Sequence, residues 1–301
     1  MKILIAGGTG FIGKALTEWW VALGNEVNVL SRGKLDDTKG VHHFVWNVEQ
    51  EFIDPKAFDG VQAIINLTGA NIGESRWTEK RKQEIIDSRV KPLQLLQKGV
   101  RQFGQNIDVM ISSSAVGYYG AVTTEQIFKE NDANGTDFLA QVCQQWEAEA
   151  RRFEFLVDRV VILRKGVVIA PGGGMIQKLK PLAKWGINVS MGNGRQYLPW
   201  ICMNDLLGMY SHILQDHRCD GVYNAVSSEH LTMNEFSNTL LHSYGRSNLL
   251  PNVPGWAVKM MVGELSTMLL QGSRVSNEKI QSDGFSFHCP SLKQCLAWKS
   301  C

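Results

Sequence analysis

The sequence predicts an α/β protein built on a doubly wound parallel sheet, with a smaller C-terminal α+β lobe. Three observations carry this. Short apolar runs alternate with helical periodicity up to about residue 170, a glycine-rich turn follows the first run, and the regularity fades beyond it. The 301 residues are 44% hydrophobic and 20% charged, which is globular usage and excludes disorder. The formal charge of +2 does not cluster, so no nucleic-acid partner is expected. A chain of this length exceeds what one core usually serves, which implies either one large α/β unit or two packed lobes.

Ile3-Leu4-Ile5-Ala6 reads as a strand buried on both faces. Phe11, Ile12, Ala15, Leu16, Trp19 and Trp20 recur at helical spacing and end near Leu23-Gly24, a C-cap signal. Further strands are expected at Val27 to Leu30, His43 to Trp46, Val61 to Leu67, Asp108 to Ser112 and Val157 to Leu163. Helices are expected over Thr78 to Gly104 and Thr136 to Phe153. Strand alternating with helix implies right-handed crossovers and a Rossmann-like sheet.

After residue 170 the elements shorten. Pro171-Gly172-Gly173-Gly174 and Gly192-Asn193-Gly194-Arg195 are turn signals. Helices are expected at Met175 to Trp185, Met203 to Leu214, Met233 to Tyr244 and Trp256 to Leu270, with a strand at Gly221 to Ala225. The expected division is a nucleotide-binding domain over residues 1–169, with a return from about 200–226, and a substrate-binding lobe over 170–301.

The six cysteines match no zinc or redox spacing, so reduced, buried thiols are expected and no metal. The seven histidines likewise show no metal spacing. Ile3 to Ala6 is too short for a signal-peptide core, and no apolar run approaches membrane length, which points to the cytoplasm.

Gly7-Gly8-Thr9-Gly10-Phe11-Ile12-Gly13 lies between the first strand and the first helix. A tight turn, a backbone that approaches a pyrophosphate and close helix packing each exclude a Cβ, and the free amides of the helix attract negative charge. After the second strand come Ser31 and Arg32, with no acid before Asp36. A carboxylate there selects NAD(H), whereas a guanidinium pairs with a 2′-phosphate, so NADP(H) is expected over NAD(H).

With these features stand Ser112-Ser113-Ser114-Ala115, Tyr119-Gly120, and Leu163-Arg164 before Gly166-Val167-Val168. On them the chain resembles the extended short-chain dehydrogenase/reductase superfamily. Asn66 to Gly69, Arg76-Trp77, Ser88-Arg89, Trp146-Glu147, Gly194-Arg195-Gln196, Trp200-Ile201 and Gly272 to Val275 make it similar to the atypical branch described as sugar-nucleotide epimerases and cell-division-inhibitor-like proteins. The resemblance implies that Leu67 and Thr68 run along the cofactor, that Glu84 and Arg89 approach it, and that Val168 borders the nicotinamide. Active members use Tyr and Lys four apart on a helix. Here those slots are Phe138 and Val142, and none of the six tyrosines is followed by a lysine at that distance.

Ser114 occupies the superfamily serine position, while Tyr118 and Tyr119 follow it on the loop expected to face the cleft. These three are the candidates for proton transfer or substrate hydrogen bonding. Arg195, Gln196, Tyr197 and Trp200 are the candidates for gripping a small-molecule substrate. Two functions stand open. One is an NADP(H)-binding oxidoreductase or epimerase acting on a small polar carbonyl or hydroxyl compound, with a nucleotide sugar among the candidates. The other is a non-catalytic NADP(H)-binding redox sensor or regulatory protein. Oligomeric state stays open between monomer and homodimer.

Overall fold

A computed structural model describes residues 1–170, 172–248 and 250–297; Pro171 of the first turn signal and Cys301 of the cysteine set lie outside them. In chain order the elements of the first half are β1 (Lys2–Ala6), α1 (Phe11–Ala22), β2 (Glu26–Ser31), β3 (Val41–Asn47), β4 (Phe52–Ile53), β5 (Ala63–Asn66), α2 (Glu79–Phe103), β6 (Val109–Ala115), β7 (Ile127–Phe128), α3 (Phe138–Arg151) and β8 (Arg159–Lys165). They continue with β9 (Val167–Ala170), α4 (Gly174–Lys184), β10 (Tyr197–Leu198), β11 (Trp200–Cys202), α5 (Met203–Gln215), β12 (Gly221–Ala225), β13 (Leu231–Thr232) and α6 (Met233–Ser243). The chain closes with α7 (Gly255–Val262), α8 (Ser266–Leu270), β14 (Arg274–Val275), α9 (Glu278–Ser282) and α10 (Leu292–Ala297).

Eight strands form the main sheet in the order β12-β8-β6-β5-β1-β2-β3-β4. All neighbours are parallel except β3 and β4. The order reverses between β1 and β5, and a sheet wound in both directions opens a crevice there, beyond the strand ends. Ile3, Leu4, Ile5 and Ala6 are fully buried because helices cover both faces. Leu16 and Trp20 of α1 pack with Leu206, Tyr210 and Ile213 of α5 on one face. Leu93 and Leu96 of α2 pack with Trp146 and Ala150 of α3 on the other. A separate apolar cluster joins α4, α6, α10, β9 and β11 in the second half of the chain.

The fold departs from the sequence expectation at several points. Strand β6 runs on to Ala115, three residues past Ser112, because its ladder with β8 extends that far. The single helix expected over 256–270 is broken after Val262, where Gly263 takes φ +62°. The two-residue strands escaped pattern reading because period-2 alternation needs more residues than they have. Three thiols also converge despite their spacing. The sulfurs of Cys202 and Cys289 and an oxygen of Asp205 lie within 4.8 Å of one another, and the Cys202 thiol is held down to about 7 by a hydrogen bond from Cys295, despite its burial. The Asp205 carboxylate is already occupied by the amides of His288 (2.7 Å) and Cys289 (3.1 Å). No described helix is long and apolar enough to cross a membrane.

The glycine turn is the tightest approach in the sheet. Gly7 has φ +85°, and a Cβ at Gly13 would stand 2.3 Å from the Gly7 carbonyl oxygen and 2.6 Å from the Gly8 Cα. Gly13→Ala must therefore push α1 away from β1. The expected loss is about 1–3 kcal/mol, in the range of overpacking substitutions, read as a lower midpoint of urea unfolding.

Candidate functional site

Two neighbouring recesses lie at the carboxyl ends of the central strands. The first is a groove of 750 Å³ lined by Gly7, Thr9, Gly10, Ser31, Arg32, Leu67, Thr68 and Glu84, together with Trp46 and Asn47 at the end of β3, Glu49 after it and Ser88 on α2. Gly10 begins α1 and gives it no side-chain cap, so the amides of the first turn are left for a ligand. A Cβ at Gly7 would come within 3.0 Å of the Leu67 backbone, which closes the turn against the end of β5. At the far end Arg32 is exposed and, among the described residues, has no ion-pair partner. The acids on the groove wall come from elsewhere. Glu84 and Asp87 of α2 are paired with Arg81 (3.1 Å) and Lys91 (2.9 Å), and Glu49 follows β3.

The other expected cofactor residues divide by location. Gly8 and Gly13 pack beneath the groove, a Cβ at Gly8 meeting Val29 at 2.7 Å, and Ile12 packs on the core. Phe11 leans over the next loop, its ring filling the space a Cβ at Gly173 would need. Val168 lies in β9, partly buried against the core, and lines neither recess. Arg89 lines the second recess.

That recess is a cavity of 270 Å³ between the ends of β6 and β8, α3, the segment before β11 and the loop after α8. Its walls are mostly apolar: Ile72, Ala115, Val116, Leu139, Val142, Cys143, Trp146, Val167, Leu198, Pro199 and Met268. Val142, in the slot where relatives with the dyad place lysine, forms part of this wall. Phe138 instead stands edge-on to Trp77 at 5.2 Å, outside the cavity. The charged side chains on the lining are Arg89 and Lys165.

Ser114, Tyr118 and Tyr119 do not face the cleft as expected. Arg164 and Glu147 are 2% and 4% exposed and form a forked ion pair, Nε to Oε1 and Nη2 to Oε2, both 2.8 Å. Burial opposes the Arg164 charge, yet the hydrogen bonds and field of Glu147 raise its pKa above the ordinary value. Ser114 donates to Glu147 Oε1 at 2.7 Å. The Tyr119 hydroxyl accepts from Arg164 Nη1 (3.0 Å) and donates to Asn224 Oδ1 (2.7 Å). Burial pushes that phenol up to about 12, and Tyr118 stacks over the Arg164 guanidinium at 3.4 Å. The Ser114 and Tyr119 hydroxyls are thus bonded within the sheet end, and Tyr118 contributes its ring.

Of the expected substrate residues, Arg195 and Tyr197 line an adjoining recess of 470 Å³, and Tyr197 also borders the cavity. Gln196 and Trp200 do not contact either. Gln196 is buried and donates to the Met191 and Leu269 carbonyls, while Trp200 is fully buried in the apolar cluster of the second half of the chain.

Sequence reading missed Lys165. Its ammonium donates to Ser113 Oγ at 2.7 Å and has no carboxylate partner among the described residues. Burial, then the nearby Arg89 charge, pushes its pKa down to about 7. The serine that touches a cavity charge is thus Ser113, on the opposite face of β6 from Ser114. The available signal was position, since Lys165 lies two residues past the strand expected over Val157 to Leu163, at the carboxyl end where such sheets place ligands.

The comparisons with known proteins follow this geometry. Residues 3–226 match the model of the NAD dependent epimerase/dehydratase family. The chain belongs to that family. Residues 253–298 match a Domain of unknown function (DUF1731). It is 34% identical over 297 residues to Epimerase family protein Mb2239 of Mycobacterium bovis, covering 98% of this chain and 96% of that protein. A crystal structure of human epimerase family protein SDR39U1 (isoform 2) with NADPH superposes with a TM-score of 0.86 at 30% identity, covering 98% of both chains. A nucleoside-diphosphate sugar epimerase from Corynebacterium glutamicum superposes at 0.79 and 25% identity, covering 99% of this chain and 57% of that one. The fold is therefore that of an atypical extended short-chain dehydrogenase/reductase.

Two stability measurements check the electrostatics. Glu147→Gln leaves a buried guanidinium without its counter-charge and is expected to cost about 3–5 kcal/mol in urea unfolding. Lys165 is neutral in the folded chain and charged in the unfolded chain between about pH 7 and its free value, so unfolding takes up a proton and stability rises with pH across that window. Lys165→Met removes that slope. Its gain in melting temperature is expected to be largest near pH 6–7 and to shrink towards pH 10.

Proposed function

We propose that this protein binds NADP(H) in the groove and carries out oxidoreductase or epimerase chemistry on a small polar carbonyl or hydroxyl compound in the adjoining cavity. The observation that carries the reading is that the two recesses adjoin at Arg89. Gly69 and Ala70 line the groove, the Arg89 guanidinium lies against Gly69 and donates to the Ala70 carbonyl, and Arg89 itself lines the cavity. The α1 amides, the glycine turn and Arg32 would hold a dinucleotide along the groove, and Arg89 stands where the groove adjoins the cavity.

The residues fit the group. The turn around Gly7 and Gly13 has no room for side chains, the amides beyond Gly10 are uncapped, and Arg32 stands where a 2′-phosphate needs a cation. The human relative's structure with NADPH supports the same choice. When bound, a nicotinamide supplies hydride exchange. The chain's own part is to position the substrate, exclude water by the apolar walls and carry the proton that accompanies the hydride. Ser114, Tyr118 and Tyr119 remain candidates from sequence only, since the Ser114 and Tyr119 hydroxyls are bonded within the Arg164 network and the Tyr118 ring packs over that guanidinium. That commitment favours the second reading, a redox sensor that binds NADP(H) without turnover.

Fluorescence titration with NADPH and NADH, followed by a hydride-transfer screen over carbonyl compounds and nucleotide sugars, separates the two. Arg32→Ala is expected to weaken NADPH about tenfold or more, in line with loss of a charge-assisted bond, and to leave NADH within about twofold. Equal losses for the two nucleotides exclude the 2′-phosphate contact, and tight NADPH binding with no turnover favours the sensor.

A further inference from the structure

Among the described residues, the cavity lining carries two basic side chains and no carboxylate. Arg89 and Lys165 come from α2 and β8 and meet on one wall, while the rest of the lining is apolar or uncharged. Lys165 uses one of its three ammonium protons, on Ser113 Oγ. Arg89 spends Nη1 on the Ile85 carbonyl (2.9 Å) and Ser88 Oγ (3.3 Å) and one Nη2 proton on the Ala70 carbonyl (3.2 Å), leaving Nε and one further N–H. All of these acceptors are neutral. Burial disfavours both cations, and each also feels a neighbouring cation. Trp146, another wall residue, has a buried indole N–H without a partner.

We propose that this cavity is the binding site for a small carboxylate with an apolar body, its carboxylate held by Lys165 and Arg89. The inference rests on the reading of the cavity as the substrate site and names the substrate class. A carboxylate supplies the missing negative charge and matches the planar guanidinium edge. The apolar walls take a hydrocarbon body, and 270 Å³ lies below the usual range for drug-sized ligands, so the ligand is smaller than a nucleotide sugar.

Binding is coupled to protonation. Facing Lys165 are Arg89 from α2, Ser113 from β6 with the Tyr210 hydroxyl of α5 3.5 Å behind it, and Cys143 from α3; Tyr197, bonded to Glu125, borders the cavity beyond them. Burial raises the Cys143 thiol to about 12 and the Tyr210 phenol well above its usual value. Lys165 is therefore the group that titrates near neutrality. A carboxylate beside it restores its charge, so each ligand bound above pH 7 takes up a proton.

The test is calorimetry on the full chain, with and without saturating NADP⁺, using two matched pairs. These are phenylpyruvate against phenylacetone, and 4-methyl-2-oxopentanoate against 4-methylpentan-2-one, each pair differing in the carboxylate; inorganic phosphate is the third arm. At least one acid is expected to bind ten or more times tighter than its ketone. Its enthalpy at pH 8 is expected to vary with the ionisation heat of the buffer, and its affinity to fall towards tenfold per pH unit above 7. Lys165→Met is expected to lose ten-fold or more in affinity. Lys165→Arg is expected to keep binding but lose the proton uptake, a result a merely structural lysine does not produce. Acids and ketones binding alike, no acid binding, or phosphate binding in their place each overturn the proposal. Because NADPH affinity is measured separately, failure of the acids with NADPH still bound leaves the cofactor reading standing, and loss of NADPH binding removes that reading instead.

Discussion

The buried pair between Arg164 and Glu147 is the constraint on which the site's geometry depends. A guanidinium and a carboxylate removed from water carry a desolvation cost that only well-formed partners offset, so neither side chain tolerates displacement. Arg164 belongs to β8, between β6 and β12, and Glu147 to α3. Their fork fastens the helix to the carboxyl end of the sheet, and the same guanidinium reaches the Glu130 carbonyl and the Tyr119 hydroxyl. Val142, Cys143 and Trp146, on the same helix, are thereby held as one wall of the cavity. The next residue along β8 projects to the other side of the strand, and that residue is Lys165.

The first half of the fold was legible because its physics is local. Fully buried strands read as unbroken apolar runs, and α1 and α2 end where Gly24 and Gly104 follow them. The groove was legible for the same reason, since Gly7 to Gly13 and Arg32 lie within one βα unit and the beginning of the next loop. The cavity was not. Its wall draws on α2, β6, α3, β8 and the loops before β11 and after α8, and no spacing rule relates Arg89 to Lys165 across 76 residues of chain. Tyr118, Tyr119 and Ser114 were misplaced for a related reason. Their position along the chain was right for a cleft, but their partners Arg164, Glu147 and Asn224 come from distant strands and a helix, and those partners turn them inward.

The absence of a Tyr/Lys pair takes on a different meaning in this setting. The helix that carries the pair in active relatives offers Phe138 to Trp77 and Val142 to the cavity, so its surface here is packing material. The ionisable group at the cavity arrives from the sheet. A titratable ammonium on a rigid strand, seated on a buried serine, is a different arrangement from a phenol on a helix, and its charge depends on what lies next to it.

The place of β12 in the sheet bears on how the molecule assembles. This strand pairs with β8 in parallel register, Gly221 with Val161 through Ala225 with Lys165, and Arg159 reaches the carbonyls of Ile213, Asp216 and Cys219 beyond it. Between the two partners lies the chain of β9, α4, β10, β11 and α5. Pairing them is a long-range closure of the kind that slows folding and raises contact order. During synthesis the edge of β8 stays open, with unpaired backbone and the Arg164 cluster incomplete, until Asn224 has left the ribosome. A chain that stalls before that point presents a sticky strand edge to its neighbours.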